Sequence, residues 1–356
     1  MCCPFARSAE RKSKEVHLME TKELLKALCQ VPGVSGEERA AREAVKTLFA
    51  PLGTVQTDAL GNVLCTHKGT GHGRKILLDA HLDQIGLCVL EITPEGFLRC
   101  APCGGVDKRV LCGAEVTVHG NETLYGVVTS TPPHLQKDED EKSLPDTVLI
   151  DIGFTAEQAS KLVSAGDRVS PRHTFTTLYN ECVSAPALDD RAGIAVLYLA
   201  LEQLKLRGCA DTVTALCSTR EETTEGGAKA AAFNAGADLC LAVDVSFAKT
   251  PDAKAEECGI LGNGPMIGFA PSLTHSVSVG LRQIAAEQQI PYQTEVMGGS
   301  SGTNADVIAA EAGGVQTGLL SVPLRYMHTG IEIVSVKDVE NTAQLLANYI
   351  LYGGLL

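Results

Sequence analysis

Two adjacent carboxylates, Glu221 and Glu222, close the segment Ser218-Thr219-Arg220-Glu221-Glu222, directly after the strand-like run Asp211 to Cys217. Neighbouring acids repel unless something cationic sits between them, and a divalent metal is the usual partner. Further acids and imidazoles stand at other strand ends: Asp79-Ala-His81-Leu-Asp83, Leu188-Asp189-Asp190, Val243-Asp244-Val245 and, late in the chain, His328. In an extended chain His81 and Asp83 point to the same side, so the carboxylate can fix the imidazole tautomer. A lone histidine would read as a core or turn residue; the His-x-Asp spacing favours ligation. Asp190 suits the N-cap of a helix beginning near Gly193, which leaves Asp189 free to bridge two cations. Asp244 ends a run too apolar for an unpaired charge, although it could also cap a turn. In an extended backbone Glu221 and Glu222 point to opposite sides, so one can bind metal while the other works as a base. Two imidazoles and three or more carboxylates, without thiolate, form a donor set for Zn²⁺, Co²⁺ or Mn²⁺ in a two-metal hydrolytic site. The residues favour metal-assisted hydrolysis over a structural acid cluster and leave the substrate open.

The elements that must position these groups follow from periodicity. Leu24, Leu25 and Leu28 predict a first helix; after the Pro32-Gly33 turn, Ser35 and Glu38 have the spacing of an N-cap opening a second. Strands are expected at residues 54–57, 63–67 and 76–80, the last a continuous apolar run that suits an interior strand. Between about Gln84 and Asn180 short alternating segments separated by Gly and Pro predict an inserted all-β domain, a small barrel, with strands at 86–92, 97–100, 115–118, 124–129 and 147–151. Its acidic stretch Lys137–Lys142 reads as a solvated loop. The α/β rhythm then resumes with helices at 193–207, 228–235 and 337–352, strands ending at Ser218 and Asp244, and Gly- and Ser-rich loops before the segment 306–312. The fold class is α/β, a mostly parallel sheet with helices on both faces, where ligands bind beyond the carboxyl ends of the strands. The expected organisation is a disordered extension over 1–18, a catalytic α/β domain from 19–83 and 181–356, and the barrel over 84–180.

Composition narrows the class. A chain of 356 residues with 44% hydrophobic content can bury more than one compact core. Its net charge of −13, 4% aromatic content and absence of tryptophan disfavour a nucleic-acid surface. The thirteen cysteines are odd in number and sit mostly in apolar runs, as expected of free thiols in a reducing cytoplasm. Cys100-Ala-Pro-Cys103 has zinc-knuckle spacing but no second pair, so it reads as structural. No apolar run reaches the roughly 18 residues of a membrane span, and residues 1–14 lack the apolar region of a signal peptide; a cytoplasmic protein is expected.

The ordered set Asp79-Ala-His81-Leu-Asp83, Ala187-Leu-Asp189-Asp190-Arg-Ala-Gly193, Arg220-Glu221-Glu222, Val243-Asp244-Val245 and Arg325-Tyr-Met-His328 resembles the M42 family of co-catalytic metallo-aminopeptidases, the TET and glutamyl aminopeptidase group. The resemblance runs from Met19 onward and includes Leu149-Ile-Asp-Ile-Gly153 and Gly166-Asp-Arg-Val169 in the insertion. It implies a co-catalytic zinc exopeptidase-like fold and two divalent metal ions held by His81, Asp189, Glu222, Asp244 and His328, with Asp189 bridging. It further implies Glu221 as general base, Asp83 as support for His81, a cis peptide between Asp189 and Asp190, and removal of N-terminal residues from peptides. The barrel would mediate homo-oligomerisation into dimers that build tetrahedral dodecamers. The chain departs from the family at Ser300-Ser301-Gly302-Thr303-Asn304-Ala305, where Gly-Gly-Gly-Thr-Asp-Ala is usual. It departs again at Thr223–Gly226 after the glutamate pair and at His328-Thr329-Gly330, where a proline is usual. None of these touches an implied ligand. The alternatives are a related metal-dependent amidohydrolase, deacylase or carboxypeptidase-like enzyme with the same ligands, and a non-catalytic assembly protein keeping the fold.

Overall fold

The computed structural model describes residues 19–130, 147–311 and 313–352. The expected extension over 1–18 and the loop Lys137–Lys142 lie outside the described residues.

Four parallel strands form the middle of an eleven-stranded sheet: Thr212–Ser218, Lys75–His81, Leu239–Phe247 and Gln316–Arg325, in that spatial order. Their continuous apolar sequences have a physical counterpart, because both faces are covered. Ile76, Leu78 and Ala80 enter the larger core, while Leu77 faces the smaller cluster with Ala228, Ala231 and Ile308. Successive side chains of a strand alternate faces, so a strand sandwiched between helices is apolar toward both, and its few polar side chains, such as Asp79, are hydrogen-bonded. One face carries the helices Thr21–Cys29, Leu188–Arg207 and Val336–Tyr352; the other carries Gly226–Ala235 and Asn304–Ala309. The α/β class with helices on both faces holds, and the parallel pairing is concentrated at the sheet's centre. Its flanks are antiparallel, so the whole sheet is mixed.

Between His81 and the strand Cys182–Ala185 the chain builds a closed six-stranded barrel. In spatial order its strands are Gly86–Ile92, Leu98–Cys103, Val148–Asp151, Thr123–Val128, Glu115–His119 and Arg168–Pro171. The barrel has its own core, including Leu87, Val89, Leu98, Val116, Val118, Ile150 and Val169. The sequence reading missed Arg168–Pro171, the strand that closes the barrel between Gly86–Ile92 and Glu115–His119. It also missed the helix Ala156–Leu162, which opens on a capping box between Thr155 and Gln158.

Two local expectations need correction. The second helix is Arg39–Phe49, and Ser35 does not cap it. Ser35 is used elsewhere: its N–H donates to the Gln84 carbonyl and its hydroxyl pairs with Thr223 Oγ1 at 3.0 Å. Glu221 and Glu222 are not in extended backbone. Arg220 turns the chain at φ 60°, and the two glutamates open the short helix Glu221–Thr224.

Candidate metal centre

The parallel strands Lys75–His81 and Leu239–Phe247 end at one cavity of about 960 Å³, and the segments that follow Ser218 and Arg325 also line it. His81 closes its strand and is 2% exposed. Its Nε2 lies 2.9 Å from Asp189 Oδ1, 3.8 Å from Asp244 Oδ1 and 4.0 Å from Glu221 Oε2. Its Nδ1 lies 3.1 Å from the Asp83 carbonyl oxygen and 3.6 Å from the carboxylate. The expected Asp83 support for the ring therefore comes mainly through the backbone. The Asp83 carboxylate, with no exposure, accepts from the N–H groups of Glu221 at 3.0 Å and Glu222 at 3.2 Å. It anchors the turn that carries the glutamate pair.

Asp189 lies between the two imidazoles. Oδ1 faces His81, and Oδ2 lies 3.4 Å from His328 Nε2, which is also 3.4 Å from Glu222 Oε2. The peptide joining Asp189 to Asp190 is cis. Asp190, His81 and Asp244 each have a donor atom within 4.8 Å of the other two, as do His81, Asp189 and Glu222. The Asp190 oxygens are already engaged: Oδ1 accepts from Gly193 N at 2.9 Å, as expected of a cap, and Oδ2 from His81 N at 3.3 Å. His328 follows its strand in a loop with φ 61°. A Cβ added at Gly105 would lie 2.5 Å from His328 Nδ1, so the chain leaving the barrel strand Leu98–Cys103 forms a close wall of the site. All seven nominated residues thus meet here.

Burial pushes the Glu221 carboxyl up to about 7 and the Glu222 carboxyl up to about 10, the latter helped by the Asp189 charge. Burial also raises Asp244 well above the ordinary carboxylate range. It acts the same way on Asp189, but hydrogen bonding to His328 and His81 outweighs it and holds that carboxyl low. For His81 burial favours the neutral ring, and Asp189 and Asp83 reverse this to raise it. Among the described residues no lysine or arginine forms an ion pair with Asp189, Glu221, Glu222 or Asp244. Glu222 Oε1 is buried without any partner. Carboxyl groups crowded together without a lysine or arginine partner, one with an orphaned oxygen, beside two imidazoles fit divalent cations.

The sequence model of one family, M42 glutamyl aminopeptidase, matches residues 61–345. The chain belongs to that family. A lysyl aminopeptidase of Pyrococcus furiosus is 33% identical to this M42 chain over 334 residues, covering 91% of it and 94% of the relative. An aminopeptidase from Desulfurococcus kamchatkensis superposes with a TM-score of 0.87 at 32% identity, covering 93% of this chain and 94% of that one. A TET1 peptidase of Pyrococcus horikoshii, described as assembling into a tetrahedron or a large octahedral shell, gives 0.82 at 32% identity, covering 93% and 99%. The M42 chain is accordingly an aminopeptidase, a hydrolase of peptide bonds. Among its described residues no helix is long and apolar enough to cross a membrane.

The sequence reading overlooked three parts of the site. Glu332, four residues beyond His328, accepts from the N–H groups of Asp189 and His328. Glu295, on the strand Gln293–Val296, accepts hydrogen bonds from Ser246 and Ser321 and lines the cavity. Asn304 donates to Asp79 Oδ2 and Ser218 Oγ, each at 2.9 Å, beneath the strand end that carries His81. A charged residue opening a short apolar strand is the available signal for Glu332, and Asn304 stands out in the sequence only as a departure from the family pattern.

Proposed function

We propose that this M42 chain removes N-terminal residues from peptides with two divalent ions held by His81, Asp189, Glu222, Asp244 and His328, and with Glu221 as the general base. The observation that carries the reading is the placement of Asp189, whose two oxygens address different imidazoles: His81 with Asp244 nearby on one side, His328 with Glu222 on the other. Bound there, a pair of Zn²⁺, Co²⁺ or Mn²⁺ ions would lower the pKa of water and polarise the scissile carbonyl. Glu221 Oε2, 4.0 Å from His81 Nε2 and on the turn beside the ligand set, supports the role of base. It takes a proton from the attacking water and passes it to the leaving amine. Asp83 fixes the Glu221 backbone while it does so.

The cavity wall bears on what enters. Glu225, Glu256, Glu257 and Glu295 line it away from the ligand set, and no lysine or arginine is among its described lining residues. A negative enclosure attracts the cationic amino terminus of a peptide and favours a basic first side chain. The name of the Pyrococcus furiosus relative agrees with that preference. The assembly described for the TET1 peptidase supports dimers and a larger tetrahedral shell for this chain too, with exposed Val110, Tyr125 and Val127 on the barrel as apolar surface a second copy could cover; native mass measurement tests this. The eleven described cysteines, all free thiols, suit the cytoplasm.

The direct test is Glu221→Gln. Turnover should fall by roughly 10²–10⁴-fold while metal content stays at the wild-type level. Retained activity would remove Glu221 from the mechanism.

A further inference from the structure

Glu332 takes no part in the reaction just described, yet it is 1% exposed and both its oxygens are committed to the site. Oε2 accepts from the Asp189 N–H at 3.0 Å, and Oε1 accepts from the His328 N–H at 3.1 Å. Its own backbone is fixed, because it opens the strand Glu332–Ser335 and pairs with Ala185 in the sheet. The two segments it ties lack such support. Asp189 and Asp190 have non-helical dihedrals where their helix begins, and Ala187 is left-handed at φ 61°. Tyr326 and His328 are left-handed at 62° and 61°. Across the site, His328 Nε2 and Asp189 Oδ2 face each other at 3.4 Å. Glu332 therefore clamps from the backbone side the same two residues that meet on the side-chain side. Among the described residues no lysine or arginine pairs with it, so its position is not explained by an ion pair.

The geometry points to Glu332 as a positioning residue that sets metal affinity by holding Asp189 and His328 in ligating register. This rests on the reading of those two side chains as ligands. A glutamine at 332 has one acceptor oxygen and must turn its amide toward the second N–H, so one of the two ties is lost with little change in volume. Partners that orient ligands in this way are worth 10–100-fold in metal affinity. A residue serving only as a strut would lower the melting temperature and leave affinity alone.

The experiment titrates chelator-stripped protein with Co²⁺, followed by calorimetry and by the visible Co²⁺ absorption bands, for wild type, Glu332→Gln, Glu332→Asp and Asp189→Asn. Glu332→Gln should weaken Co²⁺ binding by about 10–100-fold and alter the absorption bands. Should Glu332→Gln fail to fold, Glu332→Asp, which keeps the carboxyl group but is one methylene too short to reach both N–H groups, should still weaken binding. Wild-type affinity and spectrum in the folded Glu332 variants, with Asp189→Asn losing metal, would overturn the positioning role and leave the ligand assignment standing. An equal drop in melting temperature with and without Co²⁺ at unchanged affinity would overturn it too. Full metal retention by Asp189→Asn would sink the ligand assignment and this inference together.

Discussion

Asp83→Asn is nearly isosteric and tests whether the glutamate turn is placed by a buried carboxylate. Asp83 has no exposure and accepts from Glu221 N at 3.0 Å and Glu222 N at 3.2 Å. Asparagine offers one acceptor oxygen, so its amide must face the other backbone N–H. One hydrogen bond to a charged group is lost, and a buried donor is left unpaired. The loss amounts to about 1.5–3 kcal/mol, a fraction of the roughly 5–15 kcal/mol that holds a typical domain together, so the variant should fold. The functional cost should be larger in relative terms: with its tether loosened, Glu221 no longer rests where the proton is taken, and kcat should fall about 10–100-fold. The assay pairs guanidinium denaturation of metal-loaded protein with kcat on lysine p-nitroanilide and elemental analysis. A variant that loses stability as expected but keeps wild-type kcat would refute the claim that Asp83 positions the base.

Chelator-treated protein should melt at a lower temperature at pH 8.5 than at pH 6. Glu221 and Glu222 are raised to about 7 and about 10, so the fold favours their protonated forms; the stability they add is present at low pH and lost as pH rises through those values. Asp189, held low, does not titrate in that window. Metal should reverse the trend, because cations replace protons and bind more tightly as pH rises; a chelated protein that gains stability toward alkaline pH would contradict this. Glu295→Gln should reduce the lysyl over leucyl ratio of kcat/KM roughly two- to fivefold, the scale of a partly exposed charge pair. An unchanged ratio in p-nitroanilide assays would assign side-chain preference to another wall of the cavity.

Much of this architecture was legible because burial on both faces writes itself into sequence. The run Ile76–Ala80 suits an interior strand, and acids and imidazoles gathered at several such strand ends favour ligation over the capping and core roles each could have alone. Gly86–Ile92 matched its expected bounds because alternation and flanking turns marked it. The failures have equally local causes. Ser35 has the chemistry of a cap, but its hydroxyl pairs with Thr223, a contact between residues 188 apart that no local pattern encodes. The opposite-sides argument for Glu221 and Glu222 assumed extended backbone, and a left-handed Arg220, uncommon outside glycine, changes the geometry before the pair begins. The helix His275–Glu287 escaped notice because Gly280 interrupts its pattern; in the fold a Cβ there would lie 2.9 Å from the Tyr349 ring. The strand Gln293–Val296 holds one apolar residue in four and so shows no alternation, and Glu295 gave no signal. The barrel loop at Gly104–Gly105 reaches the site only through tertiary packing.

Anomalous diffraction from crystals of peptidase-active protein, recorded at the zinc and cobalt absorption edges, tests the dinuclear centre most directly. Two peaks are expected about 3.5–4 Å apart, with Asp189 touching both and His81, Glu222, Asp244 and His328 each within about 2.0–2.3 Å of one. Active protein with no peak at these side chains, or with a single peak that Asp189 does not touch, would contradict it.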